Sequence, residues 1–219
     1  MKIKKHLEEN KDTYKPWIVD KNQGMVEWKI LPYLQNIENG VFVEAGAHDG
    51  LFQSNTKILE DLGWSGVLVE PSENAFKSCK QNRSCIVENC ALVSFDYKDE
   101  FIYGEFNDHP RASIMGPKVY SAKAKTLTSI LDEHNIKHVD FLSLDVEGYE
   151  MEVLKGIDFD RINFKFLLIE VNSSFYTLDN LEAFLKTKSF NLVTNISNFT
   201  RDNAPGWPGN HQDYLFEKK

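Results

Sequence analysis

Short apolar stretches rich in β-branched and aromatic residues alternate along the chain with segments whose apolar residues recur every three or four positions. The first kind predicts strands at Val41 to Ala45, Gly66 to Glu70, Cys85 to Asn89, Val139 to Asp145 and Phe164 to Val171, mostly as continuous hydrophobic runs of the sort buried on both faces. The second predicts amphipathic helices at Ser54 to Leu62, Glu73 to Lys80, Leu127 to His134, Tyr149 to Leu154 and Leu178 to Thr187. That alternation is the signature of an α/β fold, a mostly parallel sheet with helices on both faces. Phe190 to Thr194 and Asp213 to Glu217 are strand-like with no helical pattern between them, so the last two strands are expected to pair antiparallel.

Two segments break the repeat. Residues 1–38 hold a helical pattern around Met25 to Ile37, expected to be interrupted near Pro32, and read as an N-terminal cover on the sheet. Residues 96–125 are a polar insertion bearing Gly and Pro, of a length that usually marks a lid or binding loop. With 219 residues in all, the expectation is one domain spanning 1–219, with 39–219 as its core.

Composition narrows the classes of function. The chain has 25 Lys+Arg against 33 Asp+Glu, a net charge of -8, which argues against a nucleic-acid partner because phosphate binding needs clustered positive charge. The longest apolar runs, Cys90 to Val93 and Phe166 to Ile169, are four residues each, far short of the ~20 a spanning helix needs. The start has positive charges but no apolar stretch behind them, so no secretory leader is predicted. Cys79, Cys85 and Cys90 form neither a C-x-x-C pair nor an even set, which favours a reducing, cytoplasmic compartment and structural roles for the thiols. His48 is read as structural too. Oligomeric state is left open.

The candidate chemistry begins where the strand Val41 to Ala45 runs into Gly46-Ala47-His48-Asp49-Gly50. Glycines there let a backbone turn sharply and lie close to a ligand. Glu70 closes the next strand, placed to accept from the two hydroxyls of a ribose, and Asn89-Cys90-Ala91 after the third strand suit a flat base. A G-x-G-x-x-G beginning at Gly46 would need glycines where His48 and Leu51 stand, so a nucleoside without a pyrophosphate fits better than a dinucleotide.

These segments resemble the FkbM family of S-adenosylmethionine-dependent methyltransferases. The resemblance spans about residues 40–217 and rests on FVEAGAHDGLFQSNT (Phe42 to Thr56), LVEP (Leu68 to Pro71), TLTSIL (Thr126 to Leu131), VDFLSLDVEGYEMEVLKG (Val139 to Gly156) and IEVN (Ile169 to Asn172). It implies a class I methyltransferase fold of seven strands, the last antiparallel. It implies S-adenosyl-L-methionine bound by Glu44, Ala45, Gly46, Asp49, Gly50, Ser54, Glu70, Pro71, Asn89, Cys90, Ala91 and Asp145.

Ligands of open α/β sheets sit beyond the carboxyl ends of the strands, which places Asp145, Glu147, Glu170 and Asn172 near the transferred methyl. Asp145 is the first choice for a base or a metal ligand, the alternative being a helix cap. Asp145, Glu170 and Asn172 are similar in position to the metal ligands of catechol O-methyltransferase, and an all-oxygen set suits magnesium or manganese. His109, with Arg111 and Ser113 on the insertion, is the candidate base of a metal-free mechanism. Trp207 and His211 are expected to face that insertion across the acceptor. The reading is an O-methyltransferase acting on a hydroxyl of a sugar or glycan. A methyltransferase for a small natural product, or a non-catalytic binding module on the same fold, remains as alternative.

Overall fold

The computed structural model describes residues 19–20, 24–107 and 113–219, with side chains from residue 28 onward. A two-residue ribbon, β1 (Val19–Asp20) against β2 (Gly24–Met25), leads into helix α1 (Val26–Leu34). The core then alternates through β3 (Val41–Ala45), α2 (Lys57–Asp61), β4 (Ser65–Val69), α3 (Glu73–Asn82) and β5 (Ile86–Glu88). A small excursion, β6 (Ala91–Leu92), β7 (Phe101–Gly104) and β8 (Tyr120–Lys125), precedes α4 (Leu127–Glu133) and β9 (His138–Leu144). The chain ends with α5 (Glu150–Leu154), β10 (Asn163–Asn172), α6 (Leu178–Lys186), β11 (Phe190–Asn195) and β12 (His211–Lys218).

Seven strands form the main sheet in the order β11-β12-β10-β9-β3-β4-β5. Neighbours pair in parallel except β12, which runs antiparallel to both β10 and β11. The expected mostly parallel sheet with an antiparallel last strand is therefore present. That strand inserts between β10 and β11 rather than closing the edge.

Each strand feeds two cores because successive side chains point to opposite faces. On one face Val43, Leu142 and Leu167 pack with Leu127, Ile130 and Leu131 of α4, Val153 and Leu154 of α5, and Leu181 and Leu185 of α6. On the other, Phe42, Phe141 and Leu168 pack with Ile30, Leu31 and Leu34 of α1 and Ile58 and Leu59 of α2. Phe42, Phe141, Phe164, Phe190 and Phe216 are fully buried, each contributing roughly 1.5–3 kcal/mol.

Helix starts follow their caps. Ser72 accepts from the Ala75 N–H, Thr126 from Ser129, and Thr177 forms a reciprocal capping box with Asn180. One expectation is corrected: Pro32 lies inside α1 without interrupting it, and the helix ends two residues later at Leu34. Within the 96–125 insertion β7 and β8 pair antiparallel, and β6 pairs parallel with β8. Ile102, Phe106, Ile114 and Ala122 form a small core of their own beneath this flap with Ala91 and Val93. Among the described residues, no helix is long and apolar enough to cross a membrane.

The closest sheet contact sits at Gly66 in β4, where an added Cβ would lie 2.4 Å from the Phe42 ring and 2.5 Å from the Phe42 carbonyl oxygen. Gly66→Ala should lower unfolding free energy by about 1–3 kcal/mol, the cost of overpacking a filled core. Urea denaturation measures it; an unchanged midpoint would mean that β3 and β4 separate freely there.

Candidate functional site

The carboxyl ends of β3, β4, β5 and β9 open onto a cleft of about 920 Å³, mouth included, lined among others by Glu44 to His48, Glu70, Pro71, Cys90, Ala91, Asp145 and Glu147. Its floor is the loop after β3. The Gly46 and Ala47 N–H groups both donate to the Val69 carbonyl at the end of β4, at 3.1 and 3.2 Å. Gly46 has φ +85°, and a Cβ there would stand 1.8 Å from the Asp145 carbonyl oxygen. The glycine is thus required by the backbone of the neighbouring strand as well as by anything bound above it.

Glu44 holds this loop from beneath. Its carboxylate accepts from the Ser54 and Thr56 hydroxyls and the Asn55 N–H, each at 2.7 Å. The S-N-T segment therefore wraps a buried charge, and α2 starts only at Lys57 because its first turn is spent on that charge. The counter-charge is Arg83, whose side chain has no exposure and lies 3.6 Å from Glu44. Arg83 also donates to the Gly50 carbonyl, Ser54, Thr56 and Glu60. Burial would raise the Glu60 carboxyl, but the charge and hydrogen bonds of Arg83 pull it down to about 2.

Glu70 has a different setting. One carboxylate oxygen accepts from the His48 N–H and the other from the Ser72 N–H, both at 2.8 Å. Asn89 donates its amide to the carbonyls of Glu70 and Pro71, fixing the turn that presents the carboxylate. With Cys90 and Ala91 on the adjacent wall, the arrangement fits a nucleoside with its ribose on Glu70.

Of the twelve expected cofactor residues, Glu44, Ala45, Gly46, Ser54, Glu70, Pro71, Cys90, Ala91 and Asp145 line the cleft. Asp49, Gly50 and Asn89 stand behind it. Asp49 caps the turn by accepting from Leu51 and Phe52, and Gly50 packs its Cα against Arg83 and Cys79. His48, read as structural, also lines the cleft, as do Phe52 and Gln53, which the Phe42 to Thr56 motif contains without an assigned role, and Phe106 and Ile114, which carried no motif. Three non-glycine residues of this wall, His48, Gln53 and Glu147, have φ of 47°, 60° and 56°, the sparsely populated region that clusters at functional sites. Burial pushes the Cys79, Cys85 and Cys90 thiols up to about 12, which removes them as nucleophiles.

At the far end the strand register gathers acids. Glu170 follows the Ile169–Leu144 pair of β10 and β9 and so stands beside Asp145; across β12 it faces Asp213. Asp145 opens to the cleft, and the protein packed around it together with the Glu44 charge pushes its carboxyl upward, against the hydrogen bonds of the Glu147 backbone and the Glu170 side chain that pull it down. Burial and Asp145 together lift Glu150 to about 7, Asp213 to about 7, and Glu170 well above the carboxylate range. Asn172 does not join them: its Oδ1 accepts from the Ser174 N–H and the Asn210 amide at 3.1 and 3.2 Å. Glu150, hooked by the Val146 and Gly148 N–H groups, comes in instead.

Ser113 reaches the cleft and donates to the Glu147 carbonyl at 2.8 Å, tying the flap to the loop after β9. His109 and Arg111 lie outside the described residues. Trp207 does not form the opposite wall. Its indole N–H donates to the His211 carbonyl at 2.7 Å, and its ring packs on Phe199 and His211.

A family profile described as the Methyltransferase FkbM domain matches residues 44–192. No curated protein matches the sequence. Among solved structures, the chain is similar to precorrin-6y C5,15-methyltransferase from Geobacter metallireducens GS-15 at 12% identity and a TM-score of 0.52, with 95% of each chain covered. It is also similar to TehB from Haemophilus influenzae at 14% identity and a TM-score of 0.51, over 91% of this chain and 64% of that one. At such identities the likeness is one of fold, and it is the class I methyltransferase fold.

Two outcomes test this geometry. Glu70→Ala should weaken S-adenosylmethionine by about 1.5–3 kcal/mol, the range for hydrogen bonds to a charged group; equal calorimetric affinity in the variant would remove Glu70 from the site. Arg83→Met strands two buried carboxylates and should cost about 3–5 kcal/mol of stability. Because Glu60 is held at about 2 against its usual 4.5, its share of that stability is complete above pH 4.5 and drains as pH falls toward 2. The gap between wild type and Arg83→Met in denaturation curves should therefore narrow between pH 6 and pH 3, and a constant gap would refute the pairing.

Proposed function

The chain belongs to the FkbM methyltransferase family, S-adenosylmethionine-dependent enzymes, and from that membership we propose that it methylates a hydroxyl oxygen of a saccharide. S-adenosylmethionine supplies an electrophilic methyl carbon on a sulfonium. The protein's own tasks are then to hold the donor, to aim an oxygen along the line of displacement and to keep water out.

The observation that supports the saccharide reading is the mixture of groups that line the cleft besides Glu70, Pro71, Cys90 and Ala91. They are Gln53, Ser113, Asp145 and Glu147 together with Phe52, Phe106 and Ile114. Hydroxyls of a sugar need directional donors and acceptors, while its C–H face packs on apolar and aromatic surface. Donor binding is assigned to Glu70, Pro71, Cys90 and Ala91. The flap brings Phe106, Ser113 and Ile114 to the cleft, so acceptor choice is assigned to the flap and to the Phe52–Gln53 turn. The choice of oxygen as the acceptor atom is supported by Asp145 and Glu147 in the cleft wall, which offer acceptors for a hydroxyl proton.

Turnover of methyl-labelled donor against a panel of saccharides, phenols and amines, with linkage analysis of the product, tests the reading. Saccharides should be methylated on oxygen. Gln53→Ala should raise the acceptor KM by about 0.5–1.5 kcal/mol, the worth of one neutral hydrogen bond, with donor affinity unchanged. Phenols or amines outperforming every sugar would end the saccharide reading while leaving methyl transfer intact.

A further inference from the structure

Four acidic side chains, Asp145, Glu150, Glu170 and Asp213, converge beyond β9, β10 and β12, yet among the described residues no lysine or arginine makes an ion pair with Asp145, Glu150 or Glu170. These three each offer a carboxylate oxygen within 4.8 Å of the other two. Opposite oxygens around one bound divalent ion lie ~4–5 Å apart, so a single ion can serve all three. His211 Nδ1, 3.9 Å from Glu170 Oε1, is beyond hydrogen-bond reach.

A second observation points the same way. Glu150 is 0% and Glu170 6% exposed, and the Oε2 atom of each is buried without a hydrogen-bond partner. Buried polar atoms are rarely left so, and an orphan calls for an explanation such as an ion. The remaining donors nearby are committed. The Val146 and Gly148 N–H groups go to Glu150 Oε1, and the Tyr176 hydroxyl, which also reaches the Glu150 carboxyl, has one proton and donates it to the Glu170 carbonyl. One proton shared between Asp145 and Glu170 would satisfy that pair and still leave Glu150 Oε2 with nothing. A cation satisfies all three at once.

We propose that Asp145, Glu150 and Glu170 are the protein ligands of a divalent-cation site, for a hard, oxygen-seeking ion of the Mg2+ or Mn2+ class. The ligand set is all carboxylate, which excludes the softer preferences of zinc or copper. Glu150 takes the third position that position alone would give to Asn172, whose oxygen is already used by Ser174 and Asn210. Asp145 also lines the cleft, so the site adjoins the acceptor end. The chemistry such an ion supplies is polarisation of a hydroxyl oxygen. That use rests on the methyl-transfer reading, whereas binding of the ion does not.

Mn2+ alone, added to the full chain stripped with EDTA and free of donor and acceptor, tests the site by electron paramagnetic resonance and calorimetry. The expected result is one Mn2+ bound per chain and a raised thermal midpoint. Glu150→Gln, the same size without the charge, should lower Mn2+ affinity at least about tenfold, as should Asp145→Asn, and Asn172→Ala should leave it unchanged. The proposal is overturned if wild type leaves the Mn2+ signal that of the free ion, or if Glu150→Gln binds as wild type does. Methyl transfer that persists in protein unable to bind Mn2+ would remove the ion and keep the enzyme.

Discussion

A guanidinium with no exposure to water organises the donor half of this protein. Arg83 leaves the end of α3 and reaches under the loop after β3, touching the Gly50 carbonyl, Ser54 and Thr56, with Glu44 on one side and Glu60 on the other. Removing such a charge from water is expensive unless every donor is matched. Here the matching is what gives the loop its shape: a strand end, a turn and the start of a helix are all hydrogen-bonded to one planar group. The turn in its turn presents the His48 N–H to Glu70. The position of the Glu70 carboxylate in the cleft is thereby linked to a charge buried behind it.

The acceptor half is governed by a different constraint, the register of three strands. Parallel pairing of β9 with β10 and antiparallel pairing of β10 with β12 set Asp145, Glu170 and Asp213 in neighbouring positions. Like charges side by side in a sheet destabilise it, and burial compounds the cost. The fold keeps them because the same register completes both hydrophobic cores. Shifting β10 by one residue would move Leu167 and Ile169 off one face and Leu168 off the other.

Most of the fold was legible because its strands are buried on both faces and its helices on one, so hydrophobic runs and periodicity reported them within one or two residues, except the end of α1 and the start of α2, each displaced by three. β3 has the boundaries the sequence implies, and β12 is antiparallel as the helix-free link before it requires. The flap was not legible. In β7, Phe101 and Tyr103 point outward and only Ile102 and Gly104 inward, a pattern too short to stand out between polar tracts. Its small core takes residues from three separate segments, and such contacts leave no local period.

The site divides in the same way. Glu44, Gly46 and Glu70 could be found because each ends a strand or opens a turn, where chemistry and backbone geometry coincide. Arg83 could not be found by motif, since nothing in K-Q-N-R-S-C marks it. The signal lay elsewhere: Glu44 sits in a strand whose neighbours are apolar on both faces, and a carboxylate there demands a buried cation from some part of the chain. Glu150 is the mirror case. Its spacing from Asp145 reads as an ordinary acidic first turn of a helix, and only the loop's left-handed residues, Glu147 at φ 56° and Gly148 at φ 103°, fold it back toward the strand end. Asn172 was a candidate because it ends a strand, and the structure adds what local pattern does not carry: the arrival of β12 beside β10 brings Asn210 to donate to its oxygen. A strand that pairs from the far end of the chain can thus supply the partner of a side chain that local pattern alone leaves open.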